Sequence, residues 1–274
     1  MARSPTSAEP PALSELDPGR VEGVGLSVVI PAYNEAHNIR EGVLSQMLQF
    51  LRTCGRSFEV LVVDDGSEDE TAALTRDLAA AELAVRLVAT EHGGKAHALV
   101  HGMRAARGRI VLFSDMDQAI PIAEVSKLLP WFDEGFDIVI GSRGFERRHA
   151  SFIRRIVSFG QLAARYVVLG FADIVDTQCG FKAFRREIVA PLFDRLVVYG
   201  RVGDTRATGP SLSPGFDVEL LFAAKRRGLS IKEVPIVCDH RRGGGRPTSV
   251  VRDSVRGLAD LVAIRSAARQ GRYG

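Results

Sequence analysis

Cysteine is scarce in this chain of 274 residues, which contains Cys54, Cys179 and Cys238. The three lie far apart and form no C-x-x-C pair, so the sequence predicts neither a disulfide framework nor a zinc knuckle. A reducing compartment such as the cytosol suits such a chain.

Long apolar runs are also lacking. A membrane span needs ~18 uninterrupted apolar residues, and the nearest candidate, residues 166–175, is short and contains Asp173. Residues 1–25 lack the basic start and apolar core of a signal peptide and are rich in Pro, Ser, Ala and Glu, so we predict a disordered lead there. We therefore expect a chain that is soluble or peripheral to a membrane.

No strong excess of charge of one sign is present, since the formal net charge is +3. This excess is too small to indicate a nucleic-acid partner. The C-terminal segment is nevertheless basic, and its eight arginines are Arg241, Arg242, Arg246, Arg252, Arg256, Arg265, Arg269 and Arg272. Such a segment can lie on an anionic surface or bind phosphate groups, and it can equally be the solvated face of a helix.

Two signatures of nucleotide-binding proteins are missing. The first apolar run ends in Pro31 rather than in G-x-G-x-x-G, which disfavours a dinucleotide-binding fold. The run Gly93-Gly94-Lys95 lacks the spacing and the following Ser or Thr of a Walker A loop, which disfavours an ATPase.

What the chain does contain, from residue 26 onward, is an alternation of short β-branched runs with helical patterns. This alternation predicts an α/β fold with a mostly parallel sheet and flanking helices. Strands are predicted at 26–30, 58–63, 85–89, 110–113, 137–140 and 231–237, and helices at 39–53, 96–106, 216–227 and 249–265. Pro121 suits the first turn of a further helix. Ser67-Glu68-Asp69-Glu70 predicts a capping box at the start of another.

Two later segments are less regular. Residues 152–169 mix arginines with an apolar stripe and predict an interfacial helix. Residues 200–215 are crowded with Gly, Pro, Ser and Thr and predict a long loop of the kind that often serves as a lid.

The strongest chemical signal is Asp115-Met116-Asp117, directly after an apolar strand. Two carboxylates at this spacing suit Mg²⁺ or Mn²⁺, which prefer oxygen ligands and often bridge to a substrate diphosphate. Ligands of open α/β sheets bind outside the carboxyl ends of the strands, where residues 31–35, 64–67 and 92–95 also fall. We therefore expect four strand ends to line one cleft.

Side-chain chemistry suggests individual roles in this cleft. Tyr33 offers a ring on which a base can stack, while Glu35 and Asp64 can accept hydrogen bonds from a ribose or a uracil. Asp115 and Asp117 would hold the cation, and Lys95 would add a positive charge near the diphosphate. Each has a plainer interpretation: Tyr33 can fill the core, Asp64 can accept a hydrogen bond in a turn, and Lys95 can be a surface lysine.

Several segments together carry a family resemblance. Their order and spacing resemble those of the family-2 inverting glycosyltransferases, and the segments are Val28-Val29-Ile30-Pro31-Ala32-Tyr33-Asn34-Glu35, Val63-Asp64-Asp65-Gly66-Ser67, Asp115-Met116-Asp117 and Gly141-Ser142-Arg143. Two more resemble the dolichyl-phosphate glucose and mannose synthases and their bacterial polyprenyl-phosphate relatives: Asp176-Thr177-Gln178-Cys179-Gly180-Phe181-Lys182 and Phe216-Asp217-Val218-Glu219-Leu220. The resemblance covers residues 26–265.

This resemblance implies a GT-A-like, Rossmann-like catalytic domain over residues 26–268 with C-terminal helical or interfacial elements. It implies transfer of a hexose, glucose first, from UDP-sugar to a lipid phosphate at the cytoplasmic membrane face, with inversion and a divalent cation. The implied nucleotide-sugar half, residues 26–142, contains Pro31, Ala32, Tyr33, Glu35, Asp64, Asp65, Gly66, Lys95, Asp115 and Met116. The implied acceptor half, residues 143–268, contains Arg143, Arg154, Ser158, Gln178, Cys179, Gly180 and Arg246. The implied catalytic residues are Asp117, Asp217 and Arg143.

The identity of the acceptor divides the alternatives. A phosphate acceptor is already ionised and needs no strong base, whereas a hydroxyl of a natural product or saccharide would need a carboxylate such as Asp217. The plainer role for Asp217 is a helix N-terminal carboxylate that interacts with the dipole. Relatives often carry a lysine in a late Gly-Ser-Lys motif that is missing here, where Arg246 stands as its substitute.

A nucleotide-sugar-binding module without turnover is a third interpretation, but binding alone does not need a complete metal corner and a separate acceptor cleft. His97 and His101 have a zinc-compatible spacing, but Ala98 replaces the glutamate of a metalloprotease motif, so we interpret both as ordinary helix residues. The sequence leaves the oligomeric state open, a homo-oligomer included.

Overall fold

The computed structural model describes residues 23–143, 170, 174–199, 214–239 and 250–273. One sheet contains the strands β1 (Leu26–Ala32), β2 (Phe58–Asp65), β3 (Val85–Thr90), β4 (Ile110–Phe113), β5 (Ile138–Ser142), β6 (Lys182–Arg185) and β7 (Ile231–Pro235). The helices are α1 (Ala36–Arg40), α2 (Val43–Thr53), α3 (Thr71–Ala81), α4 (Lys95–Ala105), α5 (Val125–Leu128), α6 (Pro130–Asp133), α7 (Arg186–Phe193), α8 (Pro214–Arg226) and α9 (Val250–Arg269).

The strand order across the sheet is β3-β2-β1-β4-β6-β5-β7. Strands β1 to β4 pair in parallel, as do β5 and β7, whereas β6 runs antiparallel to both of its neighbours. The predicted α/β fold with a mostly parallel sheet is thus confirmed. Its central strands are apolar runs because helices and loops cover both faces of the sheet.

The two faces of the sheet build two apolar clusters. Val29 and Val63 point into one cluster, while Val28 and Ile30 point into the other, as the two-residue period of a strand requires. Helix α4 packs on the first face through Gly102, where an added Cβ would lie 2.4 Å from Val29 Cγ1. The glycine lets the helix backbone approach the sheet closely, and this approach sets the position of the residue at the start of α4, Lys95.

The register of the strands gathers chemistry at one edge of the sheet. In β1, Ala32 pairs with Asp64 of β2, and Val29 pairs with Phe113 at the end of β4. Strand β6 runs the other way, so its first residue, Lys182, pairs with Phe113. The carboxyl ends of the parallel strands and the amino end of β6 therefore meet at the same edge.

Several local predictions were wrong. The single helix expected at 39–53 is two helices, α1 and α2, separated at Gly42, whose φ is +77°. The capping box did not form: Ser67 Oγ accepts the Asn34 N–H instead, and α3 begins at Thr71. Pro121 precedes a 3₁₀ turn at Ile122–Glu124 rather than occupying the first turn of an α-helix. Strand β6 was not predicted at all.

Other expectations concern residues beyond the described ones. The predicted interfacial helix at 152–169, most of the predicted loop at 200–215 and most of the predicted lead lie outside them. Among the helices that the structure describes, none combines the length and the apolar character needed to cross a bilayer. The division into donor and acceptor halves stays a prediction, and one sheet runs through both because β6 lies between β4 and β5.

Candidate active site

A cavity of about 290 Å³ opens at the edge where the strands end. Its polar lining comes from residues that are distant in the sequence: Lys95, Asp115, Arg143, Gln178 and Asp217. Leu99, Phe113 and Phe216 supply apolar wall. The sequence predicted every one of these polar residues for the site.

The acidic corner follows β4. Asp115 is partly exposed and lines the cavity, and its Oδ1 accepts a hydrogen bond from Lys95 Nζ. On its other side, a Cβ at residue 180 would lie 2.5 Å from Asp115 Oδ2, so Gly180 leaves room for the carboxylate. The side chain of Met116, predicted to bind the donor, is instead buried in the core with Ile120 and Ile122. A contact between Met116 and the donor would therefore come from its backbone, and it stays a prediction.

Crowded carboxylates make this corner suitable for a cation. Burial raises the pKa of Asp117, and the neighbouring Asp115 raises it further, although the Ala119 N–H donates to Asp117. Burial likewise raises the pKa of Glu35, with contributions from Asp117 and Asp115. A divalent cation held by Asp115 and Asp117 would relieve this repulsion, so the residues present fit Mg²⁺ or Mn²⁺.

Over the ranges that the structure describes, no group of three or more His, Cys, Asp or Glu side chains has the geometry of a metal site. Two protein carboxylates are an ordinary number for magnesium, which usually keeps waters and binds substrate phosphates.

Lys95 stands between several carboxylates. Burial lowers the pKa of this lysine, but Asp115, Asp217 and Asp117 outweigh that effect, and the net pKa is raised. The ammonium group is therefore charged at neutral pH and faces the cavity from the start of α4. The sequence assigned this ammonium group to a diphosphate, and in this structure it is paired with Asp115.

Lys182 is a residue of the site to which sequence reasoning gave no role. Its side chain is 0% exposed, and Nζ donates to Asp217 Oδ1 at 2.6 Å and to the Cys179 carbonyl. The same nitrogen lies 5.2 Å from the centre of the Phe113 ring. A lysine inside the short apolar run Phe181–Phe184 was the available signal, because lysine is almost never fully buried without a partner.

Asp217 consequently serves as the counterion of a buried lysine. It lies in the first turn of α8, as the plainer interpretation had it, and one of its oxygens is engaged by the Lys182 ammonium. That oxygen is therefore already occupied by the lysine before any substrate binds.

Arg143 is also paired. Its Nε and Nη2 donate to the two carboxylate oxygens of Asp176 at 2.7 and 2.8 Å. Burial by itself would raise the pKa of the Asp176 carboxyl, but the hydrogen bonds from Arg143 hold that pKa below its usual range. Asp176 therefore fixes the guanidinium plane at the cavity wall and offsets much of its charge, which sequence reasoning did not foresee.

The residues at the ends of β1 and β2 form a linked turn. Asn34 Oδ1 accepts the Glu68 N–H, and Asp64 Oδ1 accepts the Ser67 N–H at 3.3 Å. Gly66 has φ +68°, and an added Cβ would lie 2.9 Å from the His92 nitrogen. Asp64 is thus the turn acceptor that the sequence left open as an alternative. Pro31 and Ala32 lie at the end of β1, with the side chain of Ala32 buried.

Tyr33 and Asp65 both contact His92. The Tyr33 ring stacks on the His92 ring with centroids 4.2 Å apart, so one face of Tyr33 is already covered. The Asp65 carboxylate is 2% exposed and accepts the N–H groups of Gly93 and Gly94. This carboxylate therefore holds the turn that leads into α4, and a contact between Asp65 and the donor stays a prediction.

Besides Arg143, the predicted acceptor residues divide into three groups. Gln178 and Gly180 line the cavity, whereas the side chain of Cys179 is buried in the core, where burial raises the pKa of its thiol to about 12. The carbonyl of Cys179 accepts a hydrogen bond from Lys182 Nζ, and a contact between Cys179 and the acceptor stays a prediction. The third group, Arg154, Ser158 and Arg246, lies outside the described residues.

Glu219 is a buried acid to which the sequence gave no role. Its carboxylate accepts the N–H groups of Val197, Val198 and Tyr199 and the hydroxyl of Tyr273. Because Glu219 lies two residues after Asp217 on α8, these bonds help to fix the helix that carries Asp217.

Much of the chain is similar in sequence to known glycosyltransferases. Residues 27–193 match the model of glycosyl transferase family 2. The chain is 30% identical to the dolichyl-phosphate beta-glucosyltransferase of Saccharomyces cerevisiae, over 92% of this chain and 77% of the yeast protein. It is 36% identical to the dolichyl-phosphate beta-glucosyltransferase of Drosophila melanogaster, over 77% of this chain and 66% of that protein.

A solved structure shares the fold. Glucosyl-3-phosphoglycerate synthase from Mycobacterium tuberculosis, in complex with Mn²⁺, uridine diphosphate and glucosyl-3-phosphoglycerate, has a TM-score of 0.60 and 25% sequence identity. The alignment covers 89% of this chain and 80% of that one.

Proposed function

The chain belongs to glycosyl transferase family 2, and on that premise we propose that it transfers glucose, or a related hexose, from a UDP-sugar to a polyprenyl or dolichyl phosphate. The observation that carries the proposal is the cavity where Asp115 and Lys95 face Arg143 and Asp217. The acidic corner and the Arg143 guanidinium line the same small cavity. Transfer between two phosphate-bearing substrates requires both substrates to be held this close together.

The donor would bind at the ends of β1, β2 and β4. The turn at Asn34 and Gly66 would take the nucleoside, and the diphosphate would lie beside Lys95 and the acidic corner. When Mg²⁺ or Mn²⁺ is bound by Asp115 and Asp117, it supplies positive charge to the leaving diphosphate. The relatives named as dolichyl-phosphate beta-glucosyltransferases support glucose as the first sugar to test.

The acceptor would enter from the side of Arg143 and Gln178. Its phosphate oxygen attacks the anomeric carbon while the bond from that carbon to the UDP oxygen breaks. The configuration at the anomeric carbon therefore inverts, and UDP leaves. The Arg143 guanidinium has five N–H donors, and Asp176 fixes its plane, so the remaining donors can orient the phosphate. Lys95 stays protonated and offsets negative charge on the leaving group.

A phosphate acceptor also fits the state of Asp217. The reaction with a phosphate needs no base, and Asp217 is engaged by Lys182. Transfer to a hydroxyl of a soluble molecule, with Asp217 as base, is less supported for this reason. Because the proposed acceptor is anchored in a membrane, we place the chain peripherally at the cytoplasmic membrane face.

The donor site is tested by calorimetric titration with UDP-glucose, GDP-mannose and UDP-N-acetylglucosamine, each with and without Mn²⁺. We expect Mn²⁺-dependent binding of UDP-glucose that Asp115→Asn and Asp117→Asn abolish. Asp77→Asn is the matched control, because Asp77 is an exposed carboxylate on α3 outside the cavity. Absence of binding to all three donors would overturn the donor-site assignment.

The acceptor is tested by incubating the protein with radiolabelled UDP-glucose, Mn²⁺ and a polyprenyl phosphate. Label that moves into the organic phase, and does not do so with the unphosphorylated polyprenol, supports the proposed acceptor. Donor binding without transfer to any polyprenyl phosphate would sink the acceptor assignment and leave the donor site standing.

A further inference from the structure

A second cavity, of about 600 Å³, lies at the opposite edge of the sheet. It opens where β4 begins, between the end of α4, helix α6 and the start of α7. Arg109 precedes β4 and lines this cavity, whereas Asp115 follows β4 and lines the active site. The two cavities therefore lie at the two ends of the same strand.

The lining of this cavity is strongly basic. Six arginines contribute to it: Arg56, Arg104, Arg107, Arg109, Arg185 and Arg186. Two carboxylates, Asp133 and Glu187, oppose them, which leaves an excess of four positive charges. This local excess is larger than the formal net charge of +3 of the whole chain.

Two of the arginines are held in place without being neutralised. Arg185 donates from Nε to the Phe136 carbonyl and from Nη2 to the Phe132 carbonyl, and its guanidinium lies 5.8 Å from the centre of the Phe132 ring. Arg186 donates from Nε to the Ala106 carbonyl at 3.2 Å. A carbonyl accepts a hydrogen bond but carries no net charge, so both guanidinium groups stay cationic, with further N–H groups left for a ligand.

The other four arginines divide evenly. Arg56 lies 3.9 Å from Asp133, and Arg104 pairs with Asp194 at 2.5 Å. Arg107 and Arg109 are exposed, and within the described residues their side chains have no carboxylate partner. Among the described residues, these four guanidinium groups thus face one concave surface without an ion-pair partner, and Glu187 is the lining carboxylate that pairs with none of them.

We propose that this arginine-lined cavity binds an anion that carries phosphate groups. Arginine binds phosphate through paired N–H donors, and Arg185 and Arg186 are already oriented by their backbone contacts. The volume is within the range of about 300–1,000 Å³ that small-molecule sites occupy. The phosphate belongs either to a soluble phosphorylated molecule or to the headgroup of an anionic phospholipid, and the two sources share the same recognition chemistry.

The test uses two probes on the full chain in the presence of EDTA, so that cation-dependent binding at the active site does not contribute. Inorganic pyrophosphate is titrated at constant ionic strength and followed by thermal denaturation. Phosphatidylcholine vesicles with and without phosphatidylglycerol are followed by co-sedimentation. The variant is Arg107→Gln with Arg109→Gln, and the matched control is Arg52→Gln with Arg76→Gln, two exposed arginines away from the cavity.

We expect saturable binding of at least one probe, weakened about tenfold or more in the Arg107/Arg109 variant and unchanged in the control. Binding of pyrophosphate identifies a soluble phosphate ligand, and binding of phosphatidylglycerol vesicles alone identifies a lipid headgroup. No saturable binding of either probe, or equal weakening in both double variants, would overturn the proposal. If the double variant does not fold, as judged by circular dichroism, Arg186→Gln replaces it.

Discussion

Charged side chains in the active-site cavity occur in pairs rather than singly. Lys95 contacts Asp115, Lys182 contacts Asp217, and Arg143 contacts Asp176. Transferring an ion from water into the protein interior costs free energy, and a neighbouring ion of opposite charge offsets part of that cost. The role of each residue therefore depends on its partner, which changes how a substitution at Asp217 should be interpreted.

The Lys182–Asp217 pair yields the first prediction. Lys182→Met or Asp217→Asn alone should lower the free energy of unfolding by about 3–5 kcal/mol, because each breaks a buried ion pair. The double variant should lose less than the sum of the two. Urea denaturation of the four proteins gives the coupling between the residues.

The same series separates the two acceptor hypotheses. If Asp217→Asn abolishes transfer while leaving the unfolding free energy unchanged, Asp217 acts as a base, and its role as a counterion is refuted. We expect instead that Asp217→Asn and Lys182→Met lose transfer activity to the same extent. In both variants the loss of activity should accompany a lower free energy of unfolding.

A second prediction concerns pH and Tyr273. Burial and the hydrogen bond to Glu219 raise the pKa of Tyr273 above the ordinary value of 10.0. Because the folded pKa is raised, the stabilisation is complete below the unfolded pKa and is lost as the pH rises through the folded value. Unfolding free energies measured from pH 8 to about 11 should thus fall more steeply in the wild type than in Tyr273→Phe.

The neutral-pH result for Tyr273→Phe serves as an internal check. Loss of the bond to the Glu219 carboxylate should cost about 1.5–3 kcal/mol. Identical pH profiles for the two proteins would show that Tyr273 ionises as freely in the folded chain as in the unfolded one.

Helices position the site by packing closely on the sheet or by being held from the side. Helix α4 sets Lys95 through its contact with β1 and β2 at Gly102. Helix α8 sets Asp217, with Glu219 tying it to residues 197–199. Each active-site group is therefore sensitive to changes one or two turns away from the cavity.

A third prediction tests this at α4. Gly102→Ala places a Cβ 2.4 Å from Val29 Cγ1 and 2.5 Å from Val63 Cγ2. Overpacking of this kind should cost about 1–3 kcal/mol and displace α4 from the sheet. Urea denaturation measures the cost, and the affinity for UDP-glucose with Mn²⁺ reports the position of Lys95.

The control for that experiment is Gly257→Ala on α9. A Cβ there meets nothing within 4 Å. Since alanine favours a helix over glycine, this variant should be unchanged or more stable by about 0.5–1 kcal/mol. Equal behaviour of the two variants would contradict close packing at Gly102.

At the scale of the whole molecule, one sheet carries both cavities at its two edges. The lining of the candidate active site extends from Lys95 to Cys238, so its integrity depends on the complete fold. A ligand that binds this site should therefore stabilise the entire chain against unfolding.

The fourth prediction follows from this linkage. UDP-glucose with Mn²⁺, at a concentration of about 100 times the Kd, should raise the free energy of unfolding by about 2.7 kcal/mol. For a chain of this length, the corresponding rise in Tm is roughly 5–10 °C. Differential scanning calorimetry measures it, Asp115→Asn should remove it, and Asp77→Asn should keep it. A rise that persists in Asp115→Asn would place the donor elsewhere.

Local patterns in the sequence determined much of this protein. Apolar runs and helical periodicity predicted the α/β class, and the strand that precedes Asp115 placed the acidic corner at a carboxyl end. These inferences succeeded because each depends on residues that are neighbours in the chain. The family resemblance rests on the same kind of short, ordered segments.

Tertiary structure alone decided which charges meet. Lys182 and Asp217 are 35 residues apart in the sequence, and Arg143 and Asp176 are 33 apart. Lys182 reaches the site because β6 runs antiparallel to β4, a direction that four residues of sequence do not reveal. For the same reason the burial of Met116, Asp65 and Cys179 was not predicted. Such contacts depend on how distant segments pack, and a pattern of neighbouring residues carries no record of that packing.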